Sequence, residues 1–229
     1  MARSCLVALF CALFCVPAIA HHGKDFLVVE SYEVPHPGDA YALASTAYLR
    51  DGGAEESEIE PSALFGIVDG LAGEVHTHFT KAPGESFKYE AVAPAAHWQL
   101  TDHDSDFPVH VGVSAEYEIA KSAADRFEGR LVFEKGFDGS KLALNLITSH
   151  EAGTATRYGY AAGYRYEFGE RVGLGLEAQG FIDSPAACEA LLGAYFEPVE
   201  SFTVKLGLGT GIGSGALDLA ARAGLVYRF

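Results

Sequence analysis

The chain has 229 residues, 49% of them hydrophobic, and 16 Lys and Arg against 31 Asp and Glu give a formal charge of −15. That balance excludes a nucleic-acid binder and a ligand for anionic lipid surfaces, both of which need clustered positive charge. Past residue 20 no apolar run reaches the roughly 18 to 20 residues of a membrane-crossing helix, so a closed sheet is the remaining way for the mature chain to span a bilayer.

Residues 1–20 carry the layout of a secretory signal: Arg3, an apolar stretch from Leu6 to Val16, and the small-x-small site Ala18-Ile19-Ala20. Phe10 and Phe14, preceding Cys11 and Cys15, argue against a lipoprotein. Cleavage near Ala20 removes Cys5, Cys11 and Cys15 and leaves Cys188 alone, so no intramolecular disulfide is expected. Residues 21–40 are polar, with one apolar run from Phe26 to Val29 and prolines at 35 and 37. They read as a periplasmic leader, an added strand or a plug.

From Tyr41 onward the chain divides into twelve strand-like segments, approximately 41–50, 58–68, 71–81, 87–100, 108–119, 126–135, 141–149, 156–168, 171–182, 188–197, 201–210 and 216–229. Turn chemistry separates them, as in Asp51-Gly52-Gly53, Asp69-Gly70, Pro83-Gly84, Asp138-Gly139, Gly169-Glu170 and Asp183-Ser184-Pro185. The first two segments alternate weakly, so ten strands is the alternative count; either even number returns both ends to the periplasm. From the fifth segment the dyad is clear. Val109, Val111, Val113, Ala115, Tyr117 and Ile119 oppose His110, Gly112, Ser114, Glu116 and Glu118, and Leu142, Leu144 and Leu146 oppose Lys141, Ala143 and Asn145. The Ala/Leu-rich stretches 186–196 and 216–223 would suit helices locally, but their flanking turns and parity favour strands.

The last segment sets Phe229, Tyr227, Leu225, Ala223 and Ala221 against Arg228, Val226, Gly224 and Arg222. One wholly apolar face ending in an aromatic residue resembles the C-terminal signature that the Gram-negative outer-membrane assembly machinery recognises, with Tyr227 and Phe229 as the signal. The layout over residues 58–229 resembles small outer-membrane β-barrels, above all Arg126 to Lys135, a short turn, and Lys141 to Ile147. The resemblance implies an all-β, transmembrane, antiparallel up-and-down barrel of about twelve strands behind a cleaved signal peptide. It also implies outer-membrane lipid, the barrel assembly machinery and periplasmic chaperones as partners. Outward aromatics at segment ends (Trp98, Phe133, Tyr166, Phe168, Phe196, Phe202, Tyr227 and Phe229) then form an interfacial girdle, with Tyr158 and Tyr160 at the outer rim.

The inward face mixes Glu74, His76, His78, His97, His110, Glu116, Glu118, Glu128 and Glu177 with Arg130, Arg157, Arg165, Arg222 and Arg228, which are the expected lumen-lining residues. Counting from the turns sets Glu134 opposite Lys141, Glu116 near Arg130, and His97 opposite His110. Glycines and alanines at 159, 161, 163, 173, 175, 193, 207 and 209 leave one inner wall nearly bare, which predicts a narrow aqueous path or room for a plug such as 21–40. The histidine pairs lack an evident third ligand, and so no metal or cofactor is assigned. Asp102-His103-Asp104-Ser105-Asp106 reads as a solvated periplasmic turn, and Ser149-His150-Glu151 lacks an orienting Asn or Asp, so no catalytic residue is assigned and an enzyme is not expected. The expectation is a small pore or passive transporter for polar solutes. The alternatives are a closed structural or surface-interaction barrel and, behind it, a barrel hydrolase.

Overall fold

Alternating apolar and polar residues let each segment extend with one face in hydrocarbon and the other toward an enclosed interior. The computed structural model describes residues 25–102, 107–213 and 217–229, and at 185–187 the backbone alone. The expected signal peptide, His21, His22 and the stretch from His103 to Asp106 lie outside the described residues. Twelve strands follow in chain order: β1 (Ala40–Asp51), β2 (Ala54–Val68), β3 (Leu71–Lys81), β4 (Lys88–Gln99), β5 (His110–Ala120), β6 (Arg126–Phe137), β7 (Ser140–Glu151), β8 (Arg157–Glu167), β9 (Val172–Phe181), β10 (Ser184–Val199), β11 (Phe202–Ile212) and β12 (Leu219–Arg228).

Each strand pairs antiparallel with its sequence neighbours, and β1 closes on β12 from Tyr41↔Arg228 to Arg50↔Leu219. Closure leaves no strand edge, which matters because an unpaired backbone N–H or C=O has no water to turn to in a bilayer. The weakly alternating first two segments are full strands, so the count is twelve rather than ten, and the Ala/Leu-rich 186–196 stretch belongs to β10. The shortest turns have the chemistry the sequence promised. Gly70 and Gly139 sit at φ 76° and 67°, the left-handed region that a side chain disfavours, in the β2–β3 and β6–β7 connections.

The large apolar side chains point outward. Leu142, Leu144 and Leu146 of β7, Leu174 and Leu176 of β9, and Leu206 and Leu208 of β11 are all exposed, while Ala143 and Asn145 between the β7 leucines are buried. So much exposed hydrocarbon on every side, over a polar interior, inverts a water-soluble protein and fits a lipid solvent. Trp98, Tyr166, Phe168, Phe196, Tyr227 and Phe229 are exposed at the end where both termini of the barrel lie, and Tyr117, Phe127 and Tyr158 at the opposite end. Leu208, 60% exposed in mid-strand, gives a direct test of this solvent. Leu208→Arg is expected to lower unfolding stability by about 2–4 kcal/mol in urea titrations from lipid vesicles, whereas a soluble sheet would tolerate a surface arginine.

Candidate functional site

The interior is occupied. Residues 25–34 enter the barrel from the end that carries both termini, and Phe26, Leu27, Val28 and Val29 are buried there. They form one apolar cluster with Ala47, Leu49, Ala143, Ala161, Leu191 and Ala220 from the inner wall. The segment returns to the same end, where Tyr32 stacks on His110 at a centroid distance of 4.6 Å. Pro37 then makes a parallel bridge to Gly66, and Asp39 pairs with Arg228 at 3.0 Å before β1 begins. Gly66 permits this passage, since a Cβ there would stand 2.1 Å from the backbone oxygen of His36.

The bare wall is the seat of this segment. A Cβ on Gly163 would meet the Phe26 ring at 2.9 Å and Val29 at 3.1 Å, and one on Gly207 would meet Leu27 at 2.5 Å. Tyr195, only 1% exposed, lies over Gly175 and Gly193 and fills what remains of that wall. In β11 the inward glycines also let Arg222 of β12 reach across to Glu189 of β10, with Nε and Nη2 each 2.8 Å from a carboxylate oxygen.

Polar side chains from many strands hold the segment's backbone. The Glu177 carboxylate of β9 accepts the N–H groups of Leu27 (2.8 Å), Val28 (2.7 Å) and Val29 (3.2 Å), and the Tyr195 hydroxyl donates to it as well. Three successive N–H groups converging on one carboxylate form an anion-binding nest. Asn145 of β7 accepts from the Glu30 N–H at 2.7 Å and donates to the Glu30 carbonyl at 2.9 Å, replacing the two bonds a neighbouring strand would make. Lys205 of β11 donates to the Phe26 carbonyl at 2.6 Å, and Arg165 of β8 to that of Asp25 at 2.9 Å.

The segment's own charges are met too. Asp25 accepts from Lys141 at 2.7 Å, and Glu30 takes Ser114 at 2.8 Å and the Nδ1 side of His97 at 2.9 Å, with Arg130 at 3.8 Å. The bonds to the N–H groups of residues 27–30 and to the carbonyls of Asp25, Phe26 and Glu30 stand in for ladder pairing there, which is what irregular backbone needs at membrane depth.

The residues expected from sequence fall in three places. Glu177, Arg165, Arg130, His97 and His110 touch the segment. Glu74, His76, His78, Glu116 and Glu128 are buried on the inner wall, with Glu118 and Arg126 paired at 2.8 Å nearer the opposite end. Arg222 braces Glu189, as described. Arg157 is at that opposite rim, over the Phe181 ring and 3.4 Å from Asp183, and Arg228 is at the rim by the termini with its side chain 52% exposed.

Two register expectations need correction. His97 faces Ser114 and His110 faces Glu134, so the two imidazoles are not partners. Glu134 faces Ala143 while Lys141 faces Gly136, although Lys141 still reaches Glu134 diagonally at 3.2 Å. Both are slips of two to four residues, which preserve the face of the sheet but change the partner. Glu116 faces Glu128 and Arg130 faces Ser114, so Glu116 and Arg130 are diagonal neighbours, as expected.

Sequence reasoning missed Tyr195, Asn145 and Lys205 as contacts of residues 25–34, and Glu60 as a neighbour of the histidines. Glu60 was hidden by the weak alternation of its strand, although its even spacing from the inward Ser62 was a usable sign. Ser149 is buried and His150 exposed on the opposite face of β7, where Nδ1 lies 3.3 Å from Thr156 Oγ1. The two therefore form no nucleophile–base pair. Cys188 lies 3.2 Å from the Tyr160 hydroxyl.

No protein-family model and no curated protein matches the sequence. Among solved structures the chain is similar to the KdgM porin in complex with disordered oligogalacturonate (TM-score 0.60, 11% identity, covering 83% of this chain and 99% of that one). It is also similar to an outer-membrane channel from Pseudomonas putida F1 (TM-score 0.61, 9% identity, 91% and 100% covered). The NanC porin gives a TM-score of 0.60 at 9% identity, with 81% and 98% covered. At these identities the likeness is one of fold, that of a closed antiparallel transmembrane β-barrel.

Proposed function

We propose that this protein is an outer-membrane pore passing small polar solutes passively, and that residues 25–34 are a plug holding it closed from the periplasmic side. One observation carries the reading: the inner wall grips the segment through hydrogen bonds and ion pairs along a glycine-lined seat, all of which water could replace if the segment left. The porin and channel names of the similar structures agree with it. Mixed-sign lining, with Glu177, Glu116 and Glu128 against Arg130, Arg165 and Arg222, implies weak ion selectivity once open. On this reading residues 1–20 are removed near Ala20, and Tyr227 and Phe229 present the barrel to the assembly machinery and its periplasmic chaperones.

A closed structural or surface-interaction barrel is the second reading, favoured by the continuous apolar cluster that residues 26–29 form with the wall. Single-channel recording in a planar bilayer separates the two. The mature chain is expected to be nearly silent, and a version lacking residues 21–34 to show discrete steps. Silence from both, with the barrel folded, would reject the pore.

A further inference from the structure

We propose that the barrel interior binds a divalent transition-metal ion of the zinc class on Glu60, His76 and His78, whether or not the lumen conducts. His76 and His78 are two apart on β3 and so share its inward face. Ser62 of β2 pairs with His76, which puts Glu60, two residues earlier, beside His78. All three residues are buried, and one donor atom from each lies within 4.8 Å of the others. Glu60 Oε2 is 3.0 Å from His78 Nδ1, and the two imidazole rings meet edge to face at 4.9 Å between centroids.

Metal–ligand bonds of about 2.0–2.2 Å in a tetrahedron set ligand atoms roughly 3.3–3.6 Å apart, so these donors need close by little more than an ångström. Two imidazole nitrogens with a carboxylate suit zinc, cobalt, nickel or copper; calcium and magnesium ask for oxygen throughout.

The surroundings have the form of an outer shell. Glu116 Oε2 is 3.2 Å from His76 Nε2, and Glu118 Oε2 is 3.8 Å from His78 Nε2. The Nε2 of His78 is buried and makes no hydrogen bond. A carboxylate on the far nitrogen of a ring is how metal-bound histidines are oriented and made more basic; Glu116 takes that place for His76 and leaves its Nδ1 to coordinate, and the Nδ1 of His78 is the nitrogen that faces Glu60. Glu74 Oε1, 4.0 Å from His76 Nδ1, is placed as a fourth ligand. Arg130 lies nearby but is held at 2.8 Å by another carboxylate, Glu128, while Arg126 is 2.8 Å from Glu118 Oε2, the oxygen that faces His78. The other oxygen of Glu74 meets His97 Nε2 at 2.9 Å, and His97 meets Glu30, so two side chains, Glu74 and His97, link the site to the N-terminal segment.

The test is calorimetric titration of Zn²⁺ into the refolded full mature chain, with Co²⁺ absorption as a second reading. One equivalent of Zn²⁺ is expected to bind, and to remain in H21A/H22A, which removes the other adjacent histidine pair. H76Q/H78Q is expected to abolish it. Glu60→Gln, a milder change that keeps the side chain's shape, is expected to weaken binding at least 10-fold and alter the visible Co²⁺ bands, and Glu116→Gln to weaken it about 10-fold. Absence of saturable Zn²⁺ binding overturns the proposal. So does binding that is lost in H21A/H22A, or that is unchanged in both Glu60→Gln and H76Q/H78Q.

Discussion

Glu177→Gln is expected to turn a nearly silent barrel into one that opens in bursts, with roughly 10²- to 10³-fold more open time. The carboxylate receives three backbone N–H groups and a tyrosine hydroxyl in a buried site. Hydrogen bonds to a charged acceptor are worth about 1.5–3 kcal/mol each, roughly twice neutral ones. Glutamine keeps the shape but offers one oxygen without charge, and turns an N–H₂ toward donors that already point inward. A loss of about 3–4 kcal/mol acting on the seated state alone shifts its balance with the released state by two to three powers of ten. The barrel should survive, because its ladder at Glu177 is backbone pairing to Gly163 and Leu191. Open probability in a bilayer and protease cleavage within residues 25–34 are the readouts. If both match the parent protein, Glu177 is not what holds the segment.

Gly163→Val and Gly207→Val are expected to open the pore by steric exclusion alone. The nearest atoms to a Cβ at either position belong to residues 26, 27 and 29, the strands themselves being no closer than 3.8 Å at Gly207. A β-branched residue suits a strand, so the barrel loses nothing by the change. The segment, however, must give up Phe26 against one site or Leu27 against the other. Conductance should rise toward that of the chain lacking residues 21–34, and in that shortened chain the same valines should have little effect. An equal effect with and without residues 21–34 would show that valine disturbs the barrel and not its occupant. Gly209→Val is the contrasting case. A Cβ there stands 2.0 Å from the Ala190 carbonyl oxygen, so it should impair folding of the barrel regardless of the segment.

The fold was legible in the residues because a strand in lipid writes its environment locally. Leu142, Leu144 and Leu146 against Ala143 and Asn145 state the inward and outward faces without reference to any distant residue, and Asp69-Gly70 and Asp138-Gly139 state where the chain turns back. Strand direction and the place of the last strand in a barrel follow from that alternation and agree with the structure, which also settles the count at twelve where weak alternation in the first two segments left ten open. The glycine wall was legible too, as an absence of side chains that left either a narrow aqueous path or room for a plug.

Which residues meet inside the barrel was settled only by the tertiary structure. Alternation has a period of two, so a slip of two or four residues leaves every face correct while exchanging partners, as it did for His97 and Glu134. The contacts of residues 25–34 are remoter still. Leu27 meets Glu177 across 150 residues and Glu30 meets Asn145 across 115, and no local pattern links such pairs. The sequence by itself determined a lipid-facing barrel with a polar, half-bare interior. The register of the β2–β3 hairpin brought Glu60 beside two histidines, and closure seated Phe26, Leu27 and Val29 on glycine, because only the closed sheet sets the distances between strands that are far apart in the chain.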